Sequence, residues 1–349
     1  MRFLLLPISW LYHIALIIRH KLYDWHVLKS KSFEQPVICV GNLALGGTGK
    51  TPQVEYLINL LSEQYRVCVV SRGYRRKTKG FQLANPSCGP ETIGDEPMQY
   101  VGKFNDVMVA VDENRNRAIE LMNTMDRPPE LYLLDDAFQH RSTQAGLNIL
   151  LTAYNNLYCN DFLIPVGSLR DVRAAAKRAD LIMVSKSPKD LDDIKKAEVI
   201  QKLNPLPHQN VYFSSLEYEE LKEVNHQAYQ VDSETADAVL LFCGVAHPEA
   251  LEEEMKRHYR HVELFAFPDH HPYTMNDVDD IAKRYQKMAG EKRIVVTTEK
   301  DFARLTNSPY LCQFDSVPLF VAPISIKIDE KEKFNEEILS YVRKNAHHG

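Results

Sequence analysis

The sequence has few of the features that mark several other classes of protein. Its six cysteines form no C-x-x-C pair and three lie inside apolar runs, so they are interpreted as small core residues in a reducing compartment. The formal net charge of −5 gives no reason to expect binding to nucleic acid. Internal repeats and low-complexity tracts are also absent. The remaining composition, 44% hydrophobic and 26% charged over 349 residues, is typical of a globular protein with room for two domains.

The N-terminal segment, residues 1–30, lacks the cleavage site of a secretory signal, and its apolar run is short for a membrane span. Its apolar residues recur at helical spacing, at Leu4, Ile8, Leu11, Ala15, Ile18, Leu22 and Trp25. Tyrosine, tryptophan, arginine and lysine lie among and beside them, which favours a helix in the interface of an anionic membrane. The alternative is a helix buried against the rest of the protein.

The stretch that follows predicts a phosphate-binding loop. An apolar strand at 37–40 runs into Gly-Asn-Leu-Ala-Leu-Gly-Gly-Thr-Gly-Lys-Thr-Pro at 41–52. Small residues let backbone N–H groups close around a phosphate, and the following helix adds its dipole. We expect Lys50 to reach the β- and γ-phosphates and the Thr51 hydroxyl to bind Mg²⁺. The expected nucleotide-binding residues are Gly46, Gly47, Thr48, Gly49, Lys50 and Thr51.

The loop differs at several positions from the patterns of other phosphate-binding loops, and these differences indicate which nucleotide it binds. Ala44 occupies the position of the first glycine of the strict pattern, and Leu45 stands where partition-type ATPases carry a second lysine. The guanine-specificity signature is missing too, because the best candidate, Ser185-Lys186-Ser187-Pro188, lacks its aspartate. The sequence therefore predicts ATP rather than GTP, and it counts against the partition class.

A second polar site is predicted where the apolar run at 131–134 ends in Asp135 and Asp136. Carboxylates at such a strand end hold Mg²⁺ beside a phosphate loop. Either aspartate can be the metal-side group, and the alternative is a pair that caps the next helix. Gln139 and His140 follow directly and are expected to extend the polar site.

Other groups are ambiguous when taken singly. Asp95 opens a helix after Gly94, where it is interpreted as an N-cap that can still accept a proton from a substrate hydroxyl. Asp269-His270-His271 is a weak signal, since such a cluster alone is more often a hydrogen-bonded turn or a metal site. Arginines at strand ends usually pair or solvate, but several converging on one cleft bind phosphate; they are Arg72, Arg115 and Arg170.

The order of elements predicts an α/β fold: a P-loop NTPase-like parallel sheet with helices on both faces, plus a smaller C-terminal α/β lobe. Prolines at 205 and 207 begin a segment with two alternating strands, at 211–218 and 228–231, which we interpret as a β-ribbon linker. The predicted divisions are the N-terminal helix at 1–30, the P-loop domain at 31–204, the linker at 205–237 and the C-terminal lobe at 238–349. Two joined lobes imply a cleft between them.

Seven motifs then occur in a specific order: GN-x-x-x-GG-x-GKTP (41–52), SRGY (71–74), GDEP (94–97), DD-x-FQH (135–140), P-x-G-x-LR (165–170), DHH (269–271) and TEKD (298–301). In this order the chain resembles the tetraacyldisaccharide 4′-kinase family, the lipid A 4′-kinases of Gram-negative bacteria, over nearly its whole length. The resemblance implies that residues 31–204 form a kinase domain using ATP and Mg²⁺. It implies transfer of the γ-phosphoryl group to the 4′-hydroxyl of a tetraacylated disaccharide 1-phosphate, giving lipid IVA, at the cytoplasmic face of the inner membrane.

The resemblance also implies roles for residues. Asp95 and His270 match a carboxylate–imidazole pair thought to activate the hydroxyl, and Thr51, Asp135 and Asp136 match the metal side. The implied substrate-binding residues are Arg72, Glu96, Arg115, Gln139, His140 and Arg170. Two positions depart from the pattern, with Ala137 in place of glycine and Asp171 in place of glutamate. Any contact made through the longer glutamate side chain is therefore in question.

Two other functions compete with this one. A membrane-associated P-loop ATPase switch of the partition type would also use the phosphate loop and the first helix, and a soluble small-molecule kinase would not need that helix. The histidine cluster at 269–271 favours the lipid kinase over the switch, since a switch has no need of an imidazole facing the phosphate cleft. The expected partners are the lipid A disaccharide 1-phosphate precursor and an anionic membrane surface, and a monomer is expected.

Overall fold

The computed structural model describes residues 5–224, 233–306 and 308–346. The strands are β1 Val37–Asn42, β2 Val67–Ser71, β3 Gln82–Leu83, β4 Met108–Val111, β5 Leu131–Asp135, β6 Leu147–Ala153, β7 Leu181–Ser185, β8 Asn210–Tyr218, β9 Lys222–Glu223, β10 Ala238–Cys243, β11 His261–Ala266, β12 Arg293–Thr298, β13 Leu319–Ala322 and β14 Ile324–Ile328. The helices are α1 Leu6–Asp24, α2 Lys50–Leu61, α3 Pro90–Ile93, α4 Asp95–Lys103, α5 Arg115–Met122, α6 Asp193–Leu203, α7 Glu249–His258, α8 Met275–Lys287, α9 Glu299–Leu305 and α10 Lys331–Asn345.

The larger sheet has nine strands in the order β14-β8-β7-β6-β1-β5-β2-β4-β3. The seven strands from β8 to β4 pair in parallel, and antiparallel strands β14 and β3 close the two edges. Strand β1 lies near the centre between β5 and β6. The loops after β1, β2, β4 and β5 therefore meet at one edge of the sheet, which is where ligands bind in open parallel sheets.

Both faces of this sheet are covered, as the continuous apolar runs predict. Along β1, Val37 and Cys39 pack into one core with residues of α5 and α6, while Ile38 and Val40 pack into the opposite core with residues of α2 and α10. Successive side chains of a strand point to opposite faces, so a strand buried on both faces has to be apolar throughout. The predicted α/β fold class is confirmed.

Among the described residues, the smaller sheet has five strands in the order β11-β10-β12-β13-β9, of which only β9 is antiparallel. Helices α8 and α7 pack on its two faces. Helix α9, which follows β12, packs against α4 of the first sheet. This contact brings the carboxyl edges of the two sheets toward each other.

The division into domains stays a prediction, but two segments differ from it. Strand β8, expected in a linker, pairs with β7 and β14 inside the nine-stranded sheet, and the strand expected at 228–231 lies outside the described residues. The segment from β14 through α10, expected in the C-terminal lobe, returns to the larger sheet. The apolar face of α10 is buried there, and the Tyr341 hydroxyl donates to the carbonyl of Val37 at 3.0 Å.

Candidate active site

The phosphate loop connects β1 to α2 and is held from three sides. The side-chain amide of Asn42 donates to Thr48 Oγ1 at 2.7 Å, and the Ser185 hydroxyl donates to the Thr48 carbonyl at 2.7 Å. The Leu45 amide donates to the carbonyl of Ser168 at 2.7 Å. Gly49 ends the loop with φ +79°, a backbone conformation that favours glycine. Helix α2 begins at Lys50, so its free N–H groups open toward the loop.

Lys50 and the acidic strand end meet beside this loop. The Lys50 ammonium lies 3.8 Å from Asp136 Oδ1, and Arg170 donates from Nη1 to Asp136 Oδ2 at 2.9 Å. Arg170 Nη2 also contacts Asp136 and the Asn42 side chain, which links the carboxylate to the end of β1. The residues after Asp136 form turns rather than a helix, so the alternative of a helix-capping pair does not hold.

The two aspartates differ in their electrostatics. Burial, with Glu96 and Asp136 nearby, raises the pKa of Asp135 to about 7. Burial also acts on Asp136, but the charge of Lys50 and the hydrogen bonds from Arg170 outweigh it and hold the pKa of Asp136 below its usual range. The negative charge of Asp136 is thus already balanced by protein cations. Asp135 is the buried carboxyl whose ionised form a further cation would stabilise.

A cationic pocket adjoins the aspartates. Arg115, the first residue of α5, is only 2% exposed, and its Nε has no hydrogen-bond partner among the described residues. Burial and the neighbouring Arg72 lower the pKa of Arg115 to about 10, which leaves it charged at neutral pH. Burial, with Arg115, Arg72 and Arg19 nearby, lowers the pKa of His140 to about 3. His140 is therefore neutral beside the arginines, and the pocket suits an anionic group.

Asp95 and His270 come together from the two sheets. His270 Nδ1 lies 2.9 Å from Asp95 Oδ2, although the residues are 175 positions apart in sequence. The interpretation of Asp95 as an N-cap is wrong, because Gly94 is the N-cap of α4 and the Asp95 side chain does not cap it. The Asp95 carboxylate instead accepts from His270 and from Arg304. These contacts hold the pKa of Asp95 below its usual range, against the opposing effect of its burial.

Backbone geometry places this pair. Gly94 has φ +94°, and a Cβ there would lie 3.0 Å from the backbone of Gly73, so α4 begins in direct contact with the loop after β2. His270 has φ +60°, a strained conformation for a histidine, and its amide donates to the Gly244 carbonyl at 3.2 Å. Strain of this kind is concentrated at functional sites.

The other predicted residues fall in different places. Gln139 donates from its side-chain amide to the Asn42 carbonyl at 2.8 Å, so it braces the end of β1. Glu96 lies 3.4 Å from the Lys300 ammonium of α9 and forms another ion pair between the two sheets. His271, adjacent to His270, contacts Asp277 in the N-terminal cap of α8 and is structural. Arg72 is exposed at the rim of the cationic pocket.

Three residues of the site were not predicted from the sequence. Asn42 hydrogen-bonds to both Thr48 and Arg170. Lys186 adjoins the phosphate loop, since a Cβ atom added to Gly47 would lie 3.7 Å from its Nζ. Arg304 of α9 contacts both members of the Asp95–His270 pair. The motif that starts the phosphate loop contains Asn42, but nothing in the sequence distinguishes Arg304 from a solvated helix arginine.

Helix α1 packs through its polar side on the loops that follow β5 and β6. Ser9 donates to the Leu163 carbonyl at 3.0 Å, Tyr12 to the Arg170 carbonyl at 2.9 Å, and Arg19 to the Gln139 carbonyl at 2.9 Å. His20 pairs at 2.6 Å with Asp171, the buried residue that replaces the usual glutamate. The opposite side is apolar and exposed, at Leu5, Leu6, Ile8, Trp10, Leu11, Ile17 and Ile18.

This orientation contradicts the alternative of an apolar helix face buried against the protein. Trp10 is 64% exposed and Leu11 is 63% exposed. Leu4, part of the predicted stripe, lies outside the described residues. In residues 5–224, 233–306 and 308–346, no helix combines the length and apolar character needed to cross a bilayer.

Comparisons with known proteins place these features in a family. A family model described as tetraacyldisaccharide-1-P 4′-kinase matches residues 1–343. The chain is 43% identical to the tetraacyldisaccharide 4′-kinase of Bacteroides fragilis, over 99% of this chain and 94% of that protein. It is 42% identical to the protein of the same name from Flavobacterium johnsoniae, over 99% and 98% of the two chains.

A solved structure agrees with these matches. The crystal structure described as an "apo" form of LpxK from Aquifex aeolicus in complex with ATP has a TM-score of 0.74 and 28% identity to this chain. The match covers 98% of this chain and 99% of that one. These relatives match in sequence over the whole length, and the solved one matches in fold as well. The chain therefore belongs to the tetraacyldisaccharide-1-P 4′-kinase family.

Proposed function

We propose that this protein is a kinase that transfers the γ-phosphoryl group of ATP to the 4′-hydroxyl of a tetraacylated disaccharide 1-phosphate, a step of lipid A biosynthesis. The observation that carries the proposal is the 2.9 Å contact between Asp95 and His270 across the edge where the phosphate loop also lies. An ATPase switch of the partition type has no use for such a pair, and membership of the kinase family argues against it as well.

Lys50 and the phosphate loop would bind the triphosphate, with backbone N–H groups and the ammonium neutralising its charge. In the transfer, the sugar 4′-oxygen bonds to the γ-phosphorus, the bond from γ-phosphorus to the β,γ-bridging oxygen breaks, and ADP leaves. The proton of the hydroxyl passes to the Asp95–His270 pair. With Nδ1 of His270 directed at Asp95, its Nε2 makes no hydrogen bond among the described residues and lies 3.8 Å from the Asp269 carboxylate, so it is the nitrogen that can accept that proton.

The cationic pocket supports an anionic acceptor. Arg115 is buried, and its Nε has no hydrogen-bond partner in the part of the chain that the structure describes, although Nη1 contacts the Glu113 carbonyl. A buried donor left unpaired is costly unless a ligand satisfies it. His140 is neutral there and can donate to or accept from a sugar hydroxyl. Arg72 and Glu96 would complete the substrate side, while Gln139 and Arg170 act by holding Asn42 and Asp136.

Magnesium fits the same edge. No cluster of three or more metal-ligating side chains occurs among the described residues, but Mg²⁺ bound with ATP needs only one or two protein oxygens besides phosphate and water. Thr51 and Asp135 would hold it, with Asp136 kept ionised beside them. The bound ion would neutralise charge on the phosphates.

The affinity for Mg²⁺ in the presence of ATP should rise as the pH increases from about 6 to about 8, because the Asp135 proton has to leave before the oxygen binds the ion. This follows from the pKa of about 7 that burial gives Asp135. The measurement is Mg²⁺-dependent ATP binding at equilibrium across this range. Asp135→Asn should reduce the pH dependence to that of ATP itself. Asp136→Asn should keep a pH dependence from Asp135, moved toward lower pH because the Asp136 charge contributes to the raised pKa. Equal pH dependence in wild type and Asp135→Asn would contradict the role of Asp135.

We further propose that the protein acts at the cytoplasmic face of the inner membrane as a peripheral, monomeric enzyme. The exposed apolar side of α1 supports contact with a membrane surface, since its polar side is already occupied by the loops around the active site. A helix oriented in this way would bring the site close to the headgroups of an acylated substrate.

Changing Trp10, Leu11 and Ile18 together to aspartate should release the protein from vesicles of phosphatidylglycerol and phosphatidylethanolamine. Interfacial affinity scales with the apolar area that enters the lipid, and all three side chains are exposed. Cosedimentation measures the effect. The matched control changes Leu121, Met125 and Ile194, exposed apolar residues elsewhere, to aspartate and should leave binding unchanged. Survival of vesicle binding in the helix variant would exclude α1 as the membrane contact.

A further inference from the structure

We propose that Arg304 is a positioning residue for the transfer reaction, which holds Asp95 and His270 in register across the two sheets. The inference rests on the proposed function, because it assumes that this pair accepts the proton of the sugar hydroxyl. Arg304 lies on α9 of the smaller sheet, one helical turn after Asp301, and 209 positions from Asp95. Its side chain is almost fully buried.

The guanidinium group contacts both members of the pair. Arg304 Nε donates to Asp95 Oδ2 at 2.9 Å, and Nη2 lies 3.2 Å from His270 Nδ1. Asp95 Oδ2 is the same oxygen that contacts His270 Nδ1 at 2.9 Å. This carboxylate oxygen therefore accepts from two donors. Because the two hydrogen bonds come from different directions, together they fix the orientation of the carboxylate.

Arg304 is itself held in place by a buried network. Its Nη1 donates to Asp301 Oδ1 at 2.7 Å and to the Gly244 carbonyl at 2.9 Å. Asp301 is completely buried and accepts from the Thr298 hydroxyl at 2.7 Å and from the Gly244 amide at 3.0 Å. The Gly244 carbonyl also accepts from the backbone of His270. The same network thus fixes Arg304 and the strained histidine backbone.

The contacts that Arg304 makes require an arginine side chain. A planar guanidinium with five donors can reach Asp95, Asp301 and Gly244 at once, whereas a lysine ammonium at the same place cannot span these positions. Arg304 contacts neither the phosphate loop nor the cationic pocket through any hydrogen bond or ion pair among the described residues. Its substitution should therefore affect the transfer step and leave ATP binding intact.

The test measures kcat, the KM for ATP and the melting temperature of full-length Arg304→Met and Arg304→Lys. We expect kcat to fall by about tenfold or more in Arg304→Met and by less in Arg304→Lys, with the KM for ATP within about twofold of wild type. Arg293→Met is the matched control, a half-buried arginine of the same lobe whose guanidinium donates to the carbonyls of Tyr285, Gln286 and Met288. Its kcat should stay near that of wild type.

A double-mutant comparison separates positioning from general structural support. In an Asp95→Ala background, Arg304→Met should lower kcat by no more than about twofold, because the group it positions is gone. An equal loss in both backgrounds, or a wild-type kcat in Arg304→Met, overturns the inference. Because Arg304→Lys keeps the charge and most of the volume, a folded lysine variant with wild-type kcat would overturn it too. If Asp95→Ala itself keeps full activity, the proposed function of the pair fails first.

Discussion

Replacing Lys50 with alanine should lower kcat on the order of 10²-fold or more, because charge that develops on the transferred phosphoryl group loses the ammonium that the phosphate loop supplies. The Lys50 ammonium is mostly buried and lies 3.8 Å from Asp136 at the start of α2. Arg170 would remain on Asp136, so the aspartate stays paired and the fold should be kept. The expected defect is therefore in turnover rather than in stability.

The measurement is steady-state transfer to the disaccharide 1-phosphate together with the melting temperature. Lys177→Ala, at an exposed lysine far along the chain, serves as the control and should leave kcat unchanged. A near-native rate in a folded Lys50→Ala protein would remove the assignment of the phosphate loop. If Lys50→Ala instead lowers the melting temperature so far that the protein does not fold, the lysine is mainly structural.

Asp95→Ala and His270→Ala should each lower kcat strongly while the affinity for ATP stays nearly the same. The two side chains lie 2.9 Å apart, and neither belongs to the loop between β1 and α2. General acid–base groups typically contribute about 10² to 10⁴-fold, and groups that act as a unit are not additive. The double variant should therefore be little worse than the poorer single variant.

Single-turnover kinetics and equilibrium ATP binding distinguish this result from a structural one. His258→Ala, an exposed histidine on α7, controls for the loss of an imidazole in the same lobe and should keep the wild-type rate. Multiplicative losses in the double variant, or single variants that mainly weaken ATP binding, would reduce Asp95 and His270 to structural contacts between the sheets.

Local patterns were sufficient to predict the parts of the site that are continuous in sequence. The phosphate loop and the acidic strand end are short segments whose glycines, lysine and carboxylates follow buried apolar strands. Parallel strands bring such ends to one edge of a sheet, so their proximity follows from the fold class. The apolar runs at 37–40 and 131–134 likewise located two of the parallel strands, β1 and β5. Strand β8, which is also parallel, has alternating residues and was therefore assigned to a linker.

Features that depend on distant pairing could not be predicted. The final strand pairs with β8 and α10 packs on the face of the larger sheet, and no local signal in residues 324–345 reveals this return. The sequence gives no indication that α1 packs through Ser9, Tyr12 and Arg19, since packing by polar side chains depends on carbonyl groups over 100 positions away. Arg304 was missed for the same physical reason.

The most direct measurement incubates the protein with ATP, Mg²⁺ and the tetraacylated disaccharide 1-phosphate and analyses the lipid by mass spectrometry. The proposed function predicts a product that carries one added phosphate at the 4′ position, formed in a one-to-one ratio with ADP and lost in Lys50→Ala. Release of ADP at a rate that the lipid does not change, with no phosphorylated lipid, would contradict it.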